Sequence, residues 1–438
     1  MNRRTFRHLL PGLLLAAAAC GDAAPTASTP SCAADATGPA APGAAVVPSG
    51  ARCIELPGGD FVLGAYTPGT AGRDAAPSAS LLPTPRGLVL PGALQAGSAF
   101  PIVTFLGADT ARVVEVLAGG VAVAVLQGSS LGADGSAVTR DRAAVRDAMA
   151  ALPLLRAMYP AAEAPSSAPG APLLVLLGRW DPALGLASTW TDAGSSYVVL
   201  NLDVTRARTP GLAGYDTRAY RTRTAIHELA HAFEARWRTE QGVAPAMSWA
   251  AEGVADLIAG EAVRRRTAAS SNWEWRVHLT PDDPDFAVAV EPASMSGRLG
   301  AGYRDAAAFL RWAAARVAAR SGMSREQALG EVARAALRER SAGGPGMDGP
   351  VARLLGGDGH ALAAQWAAEM GGDDRGMDGD PDFRSVTSDP DHGWAEHDTP
   401  ASLPPVGPQG SAVYLRVKGG RSLPLPTAPG VRWVVVRL

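Results

Sequence analysis

Lysine is almost missing from this 438-residue chain, with Lys418 the single example. Histidine and cysteine are also scarce, at seven and three, and Phe, Trp and Tyr together make up 6%. The 40 basic residues face 42 acidic ones for a formal charge of −2. Such a balance offers no basic field for a nucleic-acid backbone. Beyond the first twenty residues no run is apolar for long enough to form a transmembrane helix. Alanine and arginine dominate what is present, so an alanine-rich stretch counts as helical only where a cap or periodicity agrees. The length suffices for two or three domains and a large buried core.

The opening "MNRRTFRHLLPGLLLAAAAC" stands apart from the rest. Arg3, Arg4 and Arg7 precede an apolar stretch, Leu9 to Ala19, that is too short to span a bilayer and ends in small residues before Cys20. This resembles a bacterial lipoprotein signal, which implies removal of residues 1–19, acylation of Cys20 and a lipid-anchored location in the cell envelope. Ala17 stands where leucine is more usual, and a plain signal peptide on a secreted protein is the alternative. "RRTF" also resembles the twin-arginine export signal. Gly21 after Cys20 resembles outer-membrane sorting. In an exported chain Cys32 and Cys53 are candidates for a disulfide, with two free thiols as the alternative.

Residues 20–50 are mostly Ala, Pro, Gly, Ser, Thr and Asp and read as a flexible tether. Short apolar runs broken by Gly and Pro, such as "CIELPGGDFVLGAY" and "ARVVEVLAGGVAVAVLQ", then predict a β-rich N-terminal domain over 51–165. It closes on an amphipathic helix starting near Thr139. A second domain over 166–371 opens with strands at 171–178 and 195–204, followed by helices. One helix starts near Ser248, one ends at Gly322, and one starts at a capping box of Ser324 and Gln327. Residues 372–438 read as a polar linker and a C-terminal β segment. The acidic run Asp373 to Asp398 misses EF-hand spacing, so a solvated linker is preferred to calcium held by Asp378, Asp380 and Asp382. The expected fold class is α+β.

The chemistry gathers in "AIHELAHAFEARW". Positions four apart lie on one face of a helix, so His227 and His231 can chelate one ion. Glu228 sits about 100° around that helix, able to reach beside an ion without ligating it. Chance gives such a pattern in a histidine-poor chain with a probability on the order of 10⁻². A third ligand is available in "SWAAEGVADL", where Glu252 stands on the next predicted helix and Asp256 one turn later. A carboxylate that accepts a ligand histidine's other N–H fixes its tautomer, and Asp256 suits that task for His227. Two separately satisfied histidines and a solvated acidic helix face are the structural alternative.

"HELAH" followed by "WAAEGVAD" resembles the gluzincin metallopeptidases, the group of thermolysin and the aminopeptidase N-like enzymes. Trp249 before the glutamate and Gly253 after it also match that group. The resemblance covers roughly residues 170–325. It implies a small sheet packed on the histidine helix, a helical lobe beyond it and a cleft between them. It further implies zinc held by His227, His231 and Glu252, with Glu228 as general base in peptide hydrolysis. "GYRDAAAFL" is similar to the segment whose tyrosine stabilises the oxyanion in aminopeptidase N-like enzymes, which makes Tyr303 a candidate, with His278 as its rival. Those enzymes also carry a Gly-x-Met-Glu-Asn segment ahead of the zinc helix, and "WTDAGSSYVVLNLD" lacks it. An endopeptidase is therefore expected, with "SSYVVLNL" as the edge strand that pairs with substrate. An aminopeptidase and a catalytically idle surface-binding lipoprotein are the other readings.

Overall fold

The computed structural model describes residues 32–66, 94–104, 106–130, 135–160, 173–179, 187–192, 195–202, 218–266, 301–341, 344–359, 361–362, 365–366, 412–425 and 432–437. Cys20, His278 and the acidic run with Asp378, Asp380 and Asp382 lie outside them. The fold contains both helices and sheets, in keeping with the α+β class.

A six-stranded sheet organises the centre. In chain order its strands are β5 (Ala99–Thr104), β6 (Gly107–Leu117), β7 (Val121–Leu126), β8 (Leu173–Gly178), β9 (Ala187–Asp192) and β10 (Ser195–Asn201). Their spatial order is β5-β6-β7-β8-β10-β9. Strand β8, "LLVLLG", is buried at every position because it lies mid-sheet between two parallel partners, β7 and β10. The connection from β7 to β8 carries α1 (Gly135–Ala148) and α2 (Leu152–Met158), the crossover that parallel strands require. Pro153 lies in the first turn of α2, where its missing N–H costs no hydrogen bond. The expected single helix from Thr139 is thus two helices, and the first starts four residues earlier.

Helices α3 (Arg218–Gln241), α4 (Ser248–Arg266), α5 (Ala301–Ser321), α6 (Arg325–Ala336) and α7 (Pro350–Leu355) follow. Val198 and Leu200 of β10 join Leu229, Phe233 and Trp237 of α3 in the largest core cluster, while Tyr197 and Val199 belong to a second cluster. The alternation of β10 therefore assigns its two faces to two cores. Arg221 and Asp141, both buried, form a bidentate pair between α3 and α1, and Arg221 also donates to the carbonyl of Asn201 at the end of β10. The start of the histidine helix is thereby tied to a neighbouring helix and to the sheet. On α6, Ser324 and Gln327 form the expected capping box.

N-terminal and C-terminal strands pair with one another. Strands β1 (Ala36–Thr37), β3 (Cys53–Leu56) and β12 (Arg421–Pro424) form one sheet. Strands β11 (Ala412–Lys418), β4 (Asp60–Tyr66), β13 (Arg432–Arg437) and β2 (Gly43–Val46) form another. Ile54, Leu56, Phe61, Leu63, Leu423, Trp433 and Val435 share one apolar core in this unit. Val434 and Val436, on the opposite face of β13, pack into the main core. Cys32 and Cys53 are disulfide-bonded, with Cα atoms 6.0 Å apart.

This pairing corrects the expected domain limits, beginning with the expected tether over 20–50, which contains β1 and β2, paired with β3 and β13. The block 51–165 is split, because β3 and β4 pair with C-terminal strands whereas β5 to β7 extend the sheet of the histidine-bearing domain. The block 372–438 is no separate appendage, since β11 and β13 flank β4. Apolar runs announce strands but do not name partners, and here the partners lie several hundred residues apart. The expected small sheet is six strands wide for the same reason. A second correction concerns the substrate edge. Strand β10 is paired on both sides, with β8 and with β9, so "SSYVVLNL" is internal, and among the described strands β9 forms the sheet's edge.

Candidate metal centre

His227 and His231 project from α3 toward α4, which brings Glu252. The Nε2 atoms of the two imidazoles are 3.1 Å apart. Glu252 Oε2 lies 3.1 Å from His227 Nε2 and 3.2 Å from His231 Nε2. Three donor atoms thus form a nearly equilateral triangle. A tetrahedral ion with ligands at ~2.0–2.1 Å would separate them by about 3.3–3.4 Å, so the triangle fits such an ion with only a slight opening. Among the described residues this is the one cluster of His, Cys, Asp and Glu that can hold a metal ion. Two imidazole nitrogens and a carboxylate oxygen suit a borderline divalent cation. The Glu252 side chain, 25% exposed, is the most open of the three, so the cluster reaches solvent at that corner.

Each imidazole is steadied from behind by a carboxylate that is itself held by a guanidinium. Asp256 Oδ1 lies 2.7 Å from His227 Nδ1, and Arg223 Nη2 lies 3.1 Å from Asp256 Oδ2. With Nδ1–H donated to Asp256, Nε2 is left to face an ion, the role expected for Asp256. On the other side Glu234 Oε2 lies 3.6 Å from His231 Nδ1, and Arg238 Nε donates to Glu234 Oε1 at 2.9 Å. Sequence reasoning passed over Arg223, Glu234 and Arg238. Their signal was helical spacing: Arg223 is four before His227, Glu234 three after His231, and Arg238 four after Glu234.

The protonation states follow from this packing. Burial works to lower the pKa of His227, but hydrogen bonds to Asp256 and Glu252 and the charge of Asp256 outweigh it and raise the value to about 9. His231 is likewise raised, with burial opposed first by the charge of Glu252 and then by its contacts with Glu234 and Glu252. Burial pushes Glu252 up, and the two imidazoles pull it down further, to about 2. Asp256 is held far below the usual carboxylate range, since Arg223 and His227 overcome its burial. Without a cation, protons occupy the triangle and do the work of positive charge there. A divalent ion held there would take their place.

Glu228 is buried, and Thr189 Oγ1 on β9 lies 2.6 Å from its Oε2 and 2.8 Å from its backbone oxygen. The Glu228 charge is among those that raise His231, which sets the acid beside the cluster without adding it to the triangle. Thr189 stands 39 positions from Glu228 in sequence, and nothing in the local pattern marks it.

Two residues next to Glu252 have structural duties. Trp249 is buried and its Nε1 donates to the carbonyl of Ser341 at 2.8 Å. Gly253 lets α4 and α5 approach closely, because a Cβ there would lie 2.5 Å from that of Ala306. Tyr303 falls on α5 one turn before that crossing, and its side chain lies outside the described residues. Comparison with protein-family models gives no match, and a search of curated proteins gives none either.

Proposed function

We propose that this chain is a zinc-dependent endopeptidase of the gluzincin type that hydrolyses protein or peptide substrates at the cell envelope. The observation that carries this reading is the triangle of His227, His231 and Glu252 with an acid beside it that ligates nothing. When bound, zinc polarises a scissile carbonyl and lowers the pKa of a water to about 7. Glu228 takes the proton from the attacking water and passes it to the leaving amine. Asp256 and Glu234 keep the imidazoles oriented. Tyr303 is the proposed donor to the tetrahedral oxyanion, a role supported by the crossing that brings its helix against α4 next to Glu252.

The finer arrangement belongs to the same proposal: a sheet against α3, a helical lobe of α4 to α6 beyond it, and a thermolysin-like cleft between. Strand β9 runs along α3, and none of the described strands pairs with its outer side. It is the proposed template for an extended substrate, by β-augmentation. The missing Gly-x-Met-Glu-Asn segment favours internal cleavage over aminopeptidase action. A disulfide suits an oxidising compartment, which supports export and anchoring of the chain through Cys20.

The test pairs elemental analysis with digestion of unfolded casein by the wild type and Glu228→Gln. We expect one zinc per chain in both proteins, and turnover about 10²–10⁴-fold lower in the variant. Equal cleavage by the two proteins removes Glu228 from the mechanism. A zinc-loaded wild type that cleaves nothing supports an idle, surface-binding lipoprotein instead.

A further inference from the structure

The general base needs more than a place on α3. A glutamate has three rotatable side-chain bonds, and Glu228, outside the metal triangle, is not held by a ligand bond. Among the described residues one side-chain hydrogen-bond donor from another element reaches it, Thr189. Strand β9 pairs Thr189 with Val198 of β10, and directly paired residues point to the same face of a sheet. Val198 belongs to the main core together with α3, so Thr189 faces the histidine helix. Ala187, two residues earlier, packs against that core as well. Threonine is β-branched, and its stiff χ1 suits a fixed donor on a strand.

The hydroxyl has one proton and two acceptors within reach, the Glu228 carboxylate at 2.6 Å and the Glu228 carbonyl at 2.8 Å. The carboxylate is the nearer and, when ionised, the stronger acceptor. A bond to Oε2 leaves Oε1 as the oxygen that can take a proton.

We propose that Thr189 is a positioning residue that locks the Glu228 carboxylate in its proton-accepting pose, so that the sheet's edge strand sets the geometry of the base. This rests on the peptidase reading above. The link has a mechanical consequence. Among the described strands β9 is both the edge offered to substrate and the holder of the base, and a substrate seated on that edge steadies the proton acceptor. Thr189 touches neither the metal triangle nor, through its inward-facing side chain, the outer edge.

The experiment compares wild type, Thr189→Val and Thr189→Ser, each loaded with zinc. Valine keeps the shape and removes the donor, while serine restores the donor on a smaller side chain. We expect kcat for a peptide substrate to fall roughly ten- to hundredfold in Thr189→Val with KM and zinc affinity unchanged, and to recover to within about threefold in Thr189→Ser. A readout without turnover is the affinity for a peptide hydroxamate, which donates a proton to the carboxylate beside the metal. It should weaken about tenfold in Thr189→Val and recover in Thr189→Ser. Unchanged kcat and hydroxamate affinity in Thr189→Val, with Glu228→Gln inactive, overturns the role of Thr189 and leaves the peptidase reading standing. A drop in zinc affinity or thermal stability that matches the loss of kcat, and is not rescued by serine, reduces Thr189 to a packing residue and also overturns the proposal. A wild type without activity overturns both.

Discussion

The two halves of the metal triangle are built alike but not equally. On both sides an imidazole leans on a carboxylate and the carboxylate on an arginine. For His227 the support comes from another helix, and the contact is 2.7 Å. For His231 it comes from the same helix three residues on, and the contact is 3.6 Å. Residues three apart on one helix are neighbours, yet their side chains leave along diverging directions, so the Glu234 carboxylate does not close squarely on the ring. A partner from α4 has no such restriction. The difference teaches that the tight support is tertiary, and that His227 should be the better oriented ligand.

The largest expected effect comes from protons common to both halves. His227 holds its proton up to about pH 9 in the metal-free chain, so an entering cation must displace it. Zinc affinity should therefore rise with pH until that value, by roughly tenfold per unit for each proton released. Calorimetry in buffers of different ionisation enthalpy reads this release directly. Affinity that is flat between pH 6 and 8 would mean that the imidazoles are already bare. Stability of the metal-free chain has the opposite sign. The folded pKa of His227 exceeds its ordinary 6.5, so its contribution is complete below pH 6.5 and is lost as pH rises through about 9. Denaturant midpoints across that window check it.

Next in size is the contrast between the supports. Asp256→Asn should weaken zinc binding about 10–100-fold, the usual cost of removing such a partner. Glu234→Gln should cost less, under about tenfold, because the contact is longer. Competition with a metal-indicator dye measures both. Equal losses would show that the shorter contact confers no advantage. A still smaller effect on the metal is expected from Gly253→Ala, which acts through packing. The added Cβ meets Ala306 and should destabilise the chain by ~1–3 kcal/mol, seen as a shift in the unfolding midpoint.

Helical spacing made the candidate triangle readable in advance. His227 and His231 had to share a face once α3 was a helix, and Glu252 and Asp256 had to share one on α4. Asp256 stands behind His227 as the spacing suggested. The same rule reached Arg223, Glu234 and Arg238 but was not applied to them. Thr189 obeys no such rule, because a strand residue meets a helix residue only through the way sheet and helix pack. The domain limits failed for a related reason. The patterns of β4 and β13 describe a buried face on each strand, and nothing local says that the first should pair with the last.

What the residues determined alone is therefore local: which faces of α3 and α4 carry the candidate ligands, where the capping box starts α6, and which runs are strands. Folding decided how these faces meet. Among the described strands it placed β9, not β10, at the sheet's edge, paired N-terminal with C-terminal strands in one β unit, and brought a threonine hydroxyl onto the glutamate beside the candidate triangle. Periodicity is written in consecutive residues, whereas partnership between distant strands is settled by which burial of apolar surface leaves every backbone polar group paired.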